Sequence, residues 1–509
     1  MALPRVRLAE LLGAISLATD LGTGQPAEHG LRTAVLAVAV GRELGLDDRE
    51  LAEVEQVALL RFLGCTSNSA QTAEDVGGDE IAFLAAMAPV LMGSKAEAGR
   101  RFVSTVGVEL PPHRRAMRVA ASLADPNGAK RSLSEHCEVA TLLATHLGLG
   151  NPVRDALAHA YERWDGAGFP DGLSGEAVPR LVRIAVVARD ADLLWRANRS
   201  SAESVLRARR GRAYAPDVVD AVLGVGFDVL AELDHGDAWH ALLAGDAGAA
   251  PVTGDAPYEV VGYFVDLKSR WTRGHSARVA GLAAAAAAAV GLDASTVDDI
   301  RRAGWLHDVG RVGVPSAIWD KAQPLTAVER ERVRLHSYLT ERTLACCPSL
   351  EGLGRLAASH HERLDGSGYH RGARDLGTAE QLLAAADVVA AMGEDRPHRP
   401  ALTPAAVAAE IAAQVRDGRL DRLAAESVMA VAGHQSVRTR TSWPAGLSDR
   451  EVEVLRHIAR GRTNRETAQA LTVSVKTIAR HIENLYAKIG VNSRGAAAVF
   501  AMEHRLLER

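Results

Sequence analysis

The sharpest hydrophobic periodicity in the chain lies near its C-terminus. Val452, Leu455 and Ile458 recur at helical spacing behind Ser448-Asp-Arg-Glu451, which reads as a capping box with Ser at the N-cap and Glu three residues on. Gly461 stops that helix. Asn464 is expected to cap a second short helix ending near Leu471, and Ser474 a third, from Val475 to Ile489, after a tight turn. Ile478, Ile482, Leu485 and Ile489 form the third helix's apolar stripe, while Lys476, Thr477, Arg480, His481, Asn484 and Lys488 occupy its other face. At the opposite end, Met1 to Leu21 is apolar but interrupted by Arg5, Arg7, Glu10 and Asp20, the pattern of an amphipathic helix rather than a signal peptide. The alanine run 283–289 is too short and too weakly apolar to span a membrane.

Composition widens this local pattern to the whole chain. Ala and Leu abound while aromatics are 4%, so the 509 residues are expected to be all-α, at about three domains for a chain of this length. The net charge of −4 is unevenly spread. From Leu447 to Arg509 there are 11 Lys and Arg against 7 Asp and Glu, a net of +4, leaving −8 for the rest. A small basic tail on an acidic body, built as two short helices, a turn and a longer helix with a polar-basic face, describes a helix-turn-helix compatible with DNA binding, the alternative being a small helical cap with a solvated face. The four cysteines, Cys65, Cys137, Cys346 and Cys347, lack Cys-x-x-Cys spacing and fit reduced thiols in a cytoplasmic protein.

The rest of the chain contains a repeat. Asp20-Leu21…His29-x-x-Arg32…Gly45-Leu46-Asp47…Leu60-x-x-x-Gly64 recurs as Asp266-Leu267…His275-x-x-Arg278…Gly291-Leu292-Asp293…Leu306-x-x-x-Gly310. His136…Glu162-Arg163-x-Asp165-Gly166-x-Gly168 recurs as His336…Glu362-Arg363-x-Asp365-Gly366-x-Gly368. The offset falls from 246 to 200, so the first copy carries about 46 extra residues between Cys65 and Arg131. The copies differ where metal chemistry is possible. His307-Asp308 of the second stands against Arg61-Phe62 of the first, His360-His361 against Ala160-Tyr161, and Asp387 against Arg189. Arg and Phe cannot hold a cation, so the first copy is expected to be non-catalytic.

His275, His307, Asp308, His336, His360, His361 and Asp387 are too many donors for one tetrahedral site, and suit two metal ions sharing a bridging carboxylate. Two such ions point to phosphoester hydrolysis, with Arg311, Arg396 and Arg399 as candidate partners for phosphate.

Residues 255–432 resemble an HD-GYP domain, a branch of the HD phosphohydrolases. The resemblance rests on His275-x-x-Arg278, His307-Asp308-Val-Gly-Arg311-x-x-Val-Pro315, His336, His360-His-Glu-Arg-Leu-Asp365-Gly-Ser-Gly368-Tyr369, Asp387 and Asp395-Arg-Pro-His-Arg399. It implies an all-helical domain that binds two or three Fe or Mn ions and hydrolyses cyclic di-GMP or a related nucleotide. Asp308 would bridge the metals and, with Arg311, act in catalysis. His275, His307 and Asp387 would hold one ion, and His336, His360 and His361 the other. Arg311, Gly368, Tyr369, Arg396 and Arg399 would contact substrate. Three positions depart from the family: Gly368-Tyr369 is followed by His370 where Pro is expected, Arg311 replaces a Lys, and Trp271 replaces an acidic residue used for a third metal, so two ions are expected.

The tail is similar to the LuxR-type DNA-binding domain over Leu447-Ser-x-Arg450-Glu451 through Lys488-Ile489-Gly490-Val491-x-Ser493-Arg494. That resemblance makes Val475–Ile489 the recognition helix, with Lys476, Thr477, Arg480, His481, Asn484 and Lys488 toward DNA, and Arg494 to Leu506 a fourth helix that dimerises. The expected layout is a degenerate HD-GYP-like domain at 1–245, a linker at 246–257, a metal-binding domain at 258–432, a linker at 433–446 and the DNA-binding domain at 447–509. The expectation for the whole is a cytoplasmic, homodimeric transcription regulator with no membrane segment, coupling a dinuclear phosphodiesterase to DNA binding. Its alternatives are a catalytically silent nucleotide sensor, or a phosphohydrolase for another nucleotide.

Overall fold

The structure, a computed structural model, describes residues 6–125, 127–244, 252, 254–434 and 443–507. Among them every regular element is a helix, and the only β features are isolated bridges. The chain is all-α, and none of its described helices is long and apolar enough to cross a membrane. It divides into two compact units, Arg5–Thr253 and Gly254–Arg509, the latter taking in Met1–Pro4.

In the first unit the helix Leu8–Thr23 is buried along nearly its whole length and packs on His29–Glu43 and Asp48–Leu60. The insertion forms the helices Ser69–Val76, Glu80–Met87, Lys95–Thr105 and Pro112–Leu123. Arg180–Ala197 returns through the core against His29–Glu43.

In the second unit the central element is His275–Ala289, which carries the alanine run and packs on Ala294–Leu306, Thr378–Met392 and Arg422–His434. Small side chains permit this crowding. A Cβ on Gly304 would lie 2.6 Å from the Cα of Ala280, so these helix backbones meet almost directly. The alanines thus serve close helix–helix packing.

The tail, in the same unit as the second repeat, consists of Asp449–Ala459, Asn464–Ala470, Val475–Ile489 and Arg494–Glu503. The Ser448 capping box and the Ser474 cap are present. Asn464, however, is the first helical residue and not the cap. Thr463 caps instead, its hydroxyl accepting from Glu466 N while Glu466 accepts from Thr463 N. Asn464 Oδ1 is taken by Arg494, so a second-helix residue ties the fourth helix down. That fourth helix ends at Glu503, three residues earlier than expected, with Leu506 and Leu507 buried beyond it.

Candidate metal centre

Three helix ends and the interiors of two further helices build the site. His307 and Asp308 close Ala294–Leu306, where the chain tightens into the turn Val309–Gly313. His336 lies within Ala327–Ala345, His360 and His361 in the turn after Glu351–Ala358, and Asp387 within Thr378–Met392. His275 is the first residue of the central helix. Gly310 lets these elements approach, since a Cβ there would lie 2.2 Å from His336 O.

The imidazoles are oriented by their backbones. His307 Nδ1 donates to Gly304 O at 2.8 Å, His360 Nδ1 to Ala357 O at 2.7 Å, and His336 Nδ1 to Val333 O. Each of these bonds leaves Nε2 as a bare lone pair facing inward. His307 Nε2 is buried and has no hydrogen-bond partner among the described residues. His336 Nε2 and His360 Nε2 face each other at 3.1 Å. Two lone pairs at that distance repel unless a cation or proton lies between them, which is what a metal-ligand set looks like.

Both carboxylates straddle the centre. Asp308 Oδ1 lies 3.4 Å from His336 Nε2 and 3.7 Å from His360 Nε2, while its Oδ2 lies 3.5 Å from His307 Nε2. Asp387 Oδ1 lies 3.2 Å from His275 Nε2 and its Oδ2 3.7 Å from His361 Nδ1. The donor atoms fall into two candidate cation groups, His336 with His360 and His361, and His275 with His307 and Asp308.

Burial opposes ionisation of Asp308, but His307, Arg311, His336 and His360 outweigh it and hold the carboxyl well below the usual range. Asp387 is held low against its own burial by His275 and its neighbours. Burial, with mutual repulsion, pushes His360 down to about 3 and lowers His336 and His361. Anionic carboxylates and neutral imidazoles are the forms that bind metals. His275 is the exception. Burial works against its charge, yet Glu394 and Asp387 raise it to about 10, and its Nε2 proton holds Asp387 where a cation could sit.

A cavity of 740 Å³ opens onto the centre, walled by Trp271, Trp319 and Tyr369 and reached by Arg311, Arg396 and Arg399. Arg311 bonds Asp308 at 2.7 Å and lies 3.7 Å above the Trp319 ring. Arg396 binds Glu394 at 2.9 Å and Trp271 O at 3.2 Å. Arg399 donates to the carbonyls of Ala391, Met392, Glu394 and Pro400. Gly368 does not line the cavity; it presses on the backbone of Glu362 and Arg363, where a Cβ would come within 2.5 Å. Tyr369–His370 is a cis peptide, as is Phe169–Pro170 in the first repeat.

Glu394, which binds His275 Nδ1 at 3.0 Å, escaped the sequence reading, as did Trp319. Adjacency to Asp395-Arg-Pro-His-Arg399 was the one available signal for Glu394. On the tail, Lys476, Thr477, Arg480 and Asn484 are exposed and His481 is half-buried, whereas Lys488 is held by Glu451 at 2.7 Å.

In the first repeat the equivalent positions hold Arg61, Phe62, Tyr161 and Arg189. The Arg61 guanidinium is buried with no acceptor among the described residues on any of its nitrogens, and lies 5.6 Å from the Phe62 and Tyr161 ring centres. Burial and Arg189 lower it to about 10. His29 survives, but its Nδ1 is bound by Asp192 at 2.7 Å.

Comparison with known proteins adds an independent line. The HD domain family matches residues 107–217 and 259–423, and the family of bacterial regulatory proteins of the luxR type matches 445–501. The chain is 30% identical to a 3′3′-cGAMP-specific phosphodiesterase 3 of Vibrio cholerae over 408 residues, 78% of this chain and 88% of that one. It is 33% identical to a cyclic di-GMP phosphodiesterase of Thermotoga maritima over 28% of this chain and 39% of that one. The crystal structure of a cyclic GMP-AMP-specific phosphodiesterase of V. cholerae superposes with a TM-score of 0.59 at 26% identity, covering 86% of this chain and all of that one.

Proposed function

From a chain that belongs to the HD-domain family and ends in a luxR-family regulatory domain, we propose a transcription regulator whose second repeat is a dinuclear phosphodiesterase for cyclic dinucleotides. The observation that carries this reading is the inward convergence of His307, His336 and His360 Nε2 around the two oxygens of Asp308. The donor set fits Fe or Mn: His275, His307 and Asp387 would hold one ion and His336, His360 and His361 another, with Asp308 available to both. Bound there, two cations supply charge neutralisation of a phosphodiester and activation of water at neutral pH.

The chain's own residues do the rest. Arg311 and Arg396 stand at the cavity wall to pair with the substrate phosphates. Trp271, Trp319 and Tyr369 offer flat faces to the bases and exclude water from one side. The named substrates of the relatives, 3′3′-cGAMP and cyclic di-GMP, are the two to try first. Lys476, Thr477, Arg480, His481 and Asn484 read or grip DNA, and the protein acts as a homodimer through its tail.

The test is turnover of both cyclic dinucleotides by the full chain loaded with Mn or Fe, against Asp308→Ala. Linear product from the unaltered chain alone supports the reading. Equal, negligible rates from both, with nucleotide binding kept, replace it by a sensor. The Arg311–Asp308 ion pair favours that second reading, because the guanidinium competes for the bridging carboxylate. For the tail, Arg480→Ala should weaken DNA binding by about tenfold and lower the salt slope by about one.

A further inference from the structure

A second cavity of 380 Å³ lies between the second repeat and the tail, and shares Trp271 with the first. The repeat contributes Arg270, Arg273 and Arg278, and the tail Arg460, Arg462 and Arg505. Against these six arginines stand three carboxylates, Glu394, Asp395 and Glu466, of which Glu394 pairs with Arg278 at 3.5 Å and Glu466 feels the charge of Arg270 and Arg462. Glu394 is bound by His275 and Arg396, Asp395 accepts from Ala401 N at 2.9 Å, and Glu466 closes its own helix cap on Thr463. Arg270, Arg462 and Arg505 form no ion pair with any described residue. Arg270 instead lies 5.0 Å over the Trp271 ring, whose buried Nε1 has no acceptor. Met502, Leu507 and Ala277 give the cavity an apolar side.

We propose that this cleft is a second ligand site, for a nucleotide bearing a free phosphomonoester. Convergent guanidinia from two domains match a phosphate dianion, whose oxygens accept bidentate bonds that a ring-closed diester satisfies less well. The apolar side and the Trp271 face suit a nucleoside, and the volume falls in the range of small-molecule sites. The domains already touch here: Arg273 donates to Ala459 O at 2.6 Å, and a Cβ on Gly461 would meet the Arg270 side chain. A ligand bridging Arg270 with Arg462 and Arg505 therefore fastens the tail to the repeat. Glu394 connects the cleft to the metal centre, its two oxygens lying 3.0 Å from His275 Nδ1 and 3.5 Å from Arg278 Nε. Hydrolysis of one ring ester of a cyclic dinucleotide adds water across the P–O bond, freeing a hydroxyl and leaving a phosphomonoester, so the cleft would read the product. That link rests on the phosphodiesterase reading; the binding does not.

Calorimetry on the full chain with guanosine monophosphate as probe tests the site. Binding is expected to weaken by about tenfold or more in Arg462→Ala/Arg505→Ala, to be retained by the double Lys variant, and to be competed by inorganic phosphate. It should persist in Asp308→Ala, and the arginine variant should keep the turnover and metal content of the unaltered chain. Unchanged affinity in the arginine variant overturns the proposal, as does binding lost in Asp308→Ala, which would place the nucleotide in the metal centre. Absence of turnover by the unaltered chain would bear on the phosphodiesterase reading and leave this measurement as it stands.

Discussion

The two repeats solve the same packing problem with the same contacts and fill the centre with opposite chemistry. Gly64 and Gly310 sit where a Cβ would come within 2.0 and 2.2 Å of His136 O and His336 O. Glu162 and Glu362 each accept backbone N–H groups of the following loop, and Asp20 and Asp266 accept from the equivalent backbone N–H groups of Gly30 and Ser276. These contacts are backbone against backbone, or carboxylate to backbone, and they persist. The centre differs: imidazoles converge around Asp308 in one, and two guanidinia lie among Phe62 and Tyr161 in the other. The fold tolerates a charged, aromatic filling, so the histidines of the second repeat are not there to hold it up.

The largest expected effect tests that division directly. His307→Ala/Asp308→Ala should cost turnover on the order of 10³-fold, with metal content falling in parallel and helicity by circular dichroism unchanged. Arg61→Ala/Phe62→Ala should leave turnover within about twofold. A metal-free His307→Ala/Asp308→Ala chain that unfolds would dissolve the contrast.

Gly64→Ala and Gly310→Ala should each destabilise their own unit by about 3 kcal/mol, because backbone carbonyls cannot yield to the new methyl. Similar losses in thermal unfolding would show the shared contacts to be equally structural; a cost at Gly310 alone would tie that glycine to chemistry.

Acid should weaken the first repeat through His136. Burial holds His136 down to about 4 in the first repeat, below its unfolded value of 6.5. Its contribution to stability is present above pH 6.5 and is lost as pH falls from 6.5 toward 4, about 3 kcal/mol at full effect. His136→Gln should flatten that part of the pH–stability curve, measured by urea unfolding.

The smallest effect has the opposite sign. Arg61→Met replaces a buried guanidinium lacking acceptors with an apolar chain, and should be neutral or stabilising by up to about 2 kcal/mol. A loss of several kcal/mol would mean that Arg61 has a partner in solution.

Much of this was readable in the residues because repeats expose their own variables. The capping box at Ser448 and the helix Val475–Ile489 followed from short-range rules, which need no knowledge of tertiary structure. Asn464 misled because Thr463 and Asn464 are both good caps, and the choice was made by Arg494, thirty residues away. Glu394 was invisible for a similar reason. Its partner His275 lies 119 residues upstream, and the first repeat serves the same histidine with Asp192, a carboxylate from within a helix. Spacing reveals ligands drawn from one motif; it does not reveal the residue that steadies a ligand from afar.

The buried pair Arg61 and Arg189 has a historical consequence. A single carboxylate introduced at position 62 would be captured by the two guanidinia beside that side chain, forming an ion pair rather than a metal ligand. A histidine at position 61 would face Tyr161 and Arg189, and the one carboxylate that acts on this position, Asp190, is already paired with Arg189 and Arg209. No one-step return leads toward a working centre. The asymmetry between the two donor sets is therefore self-locking.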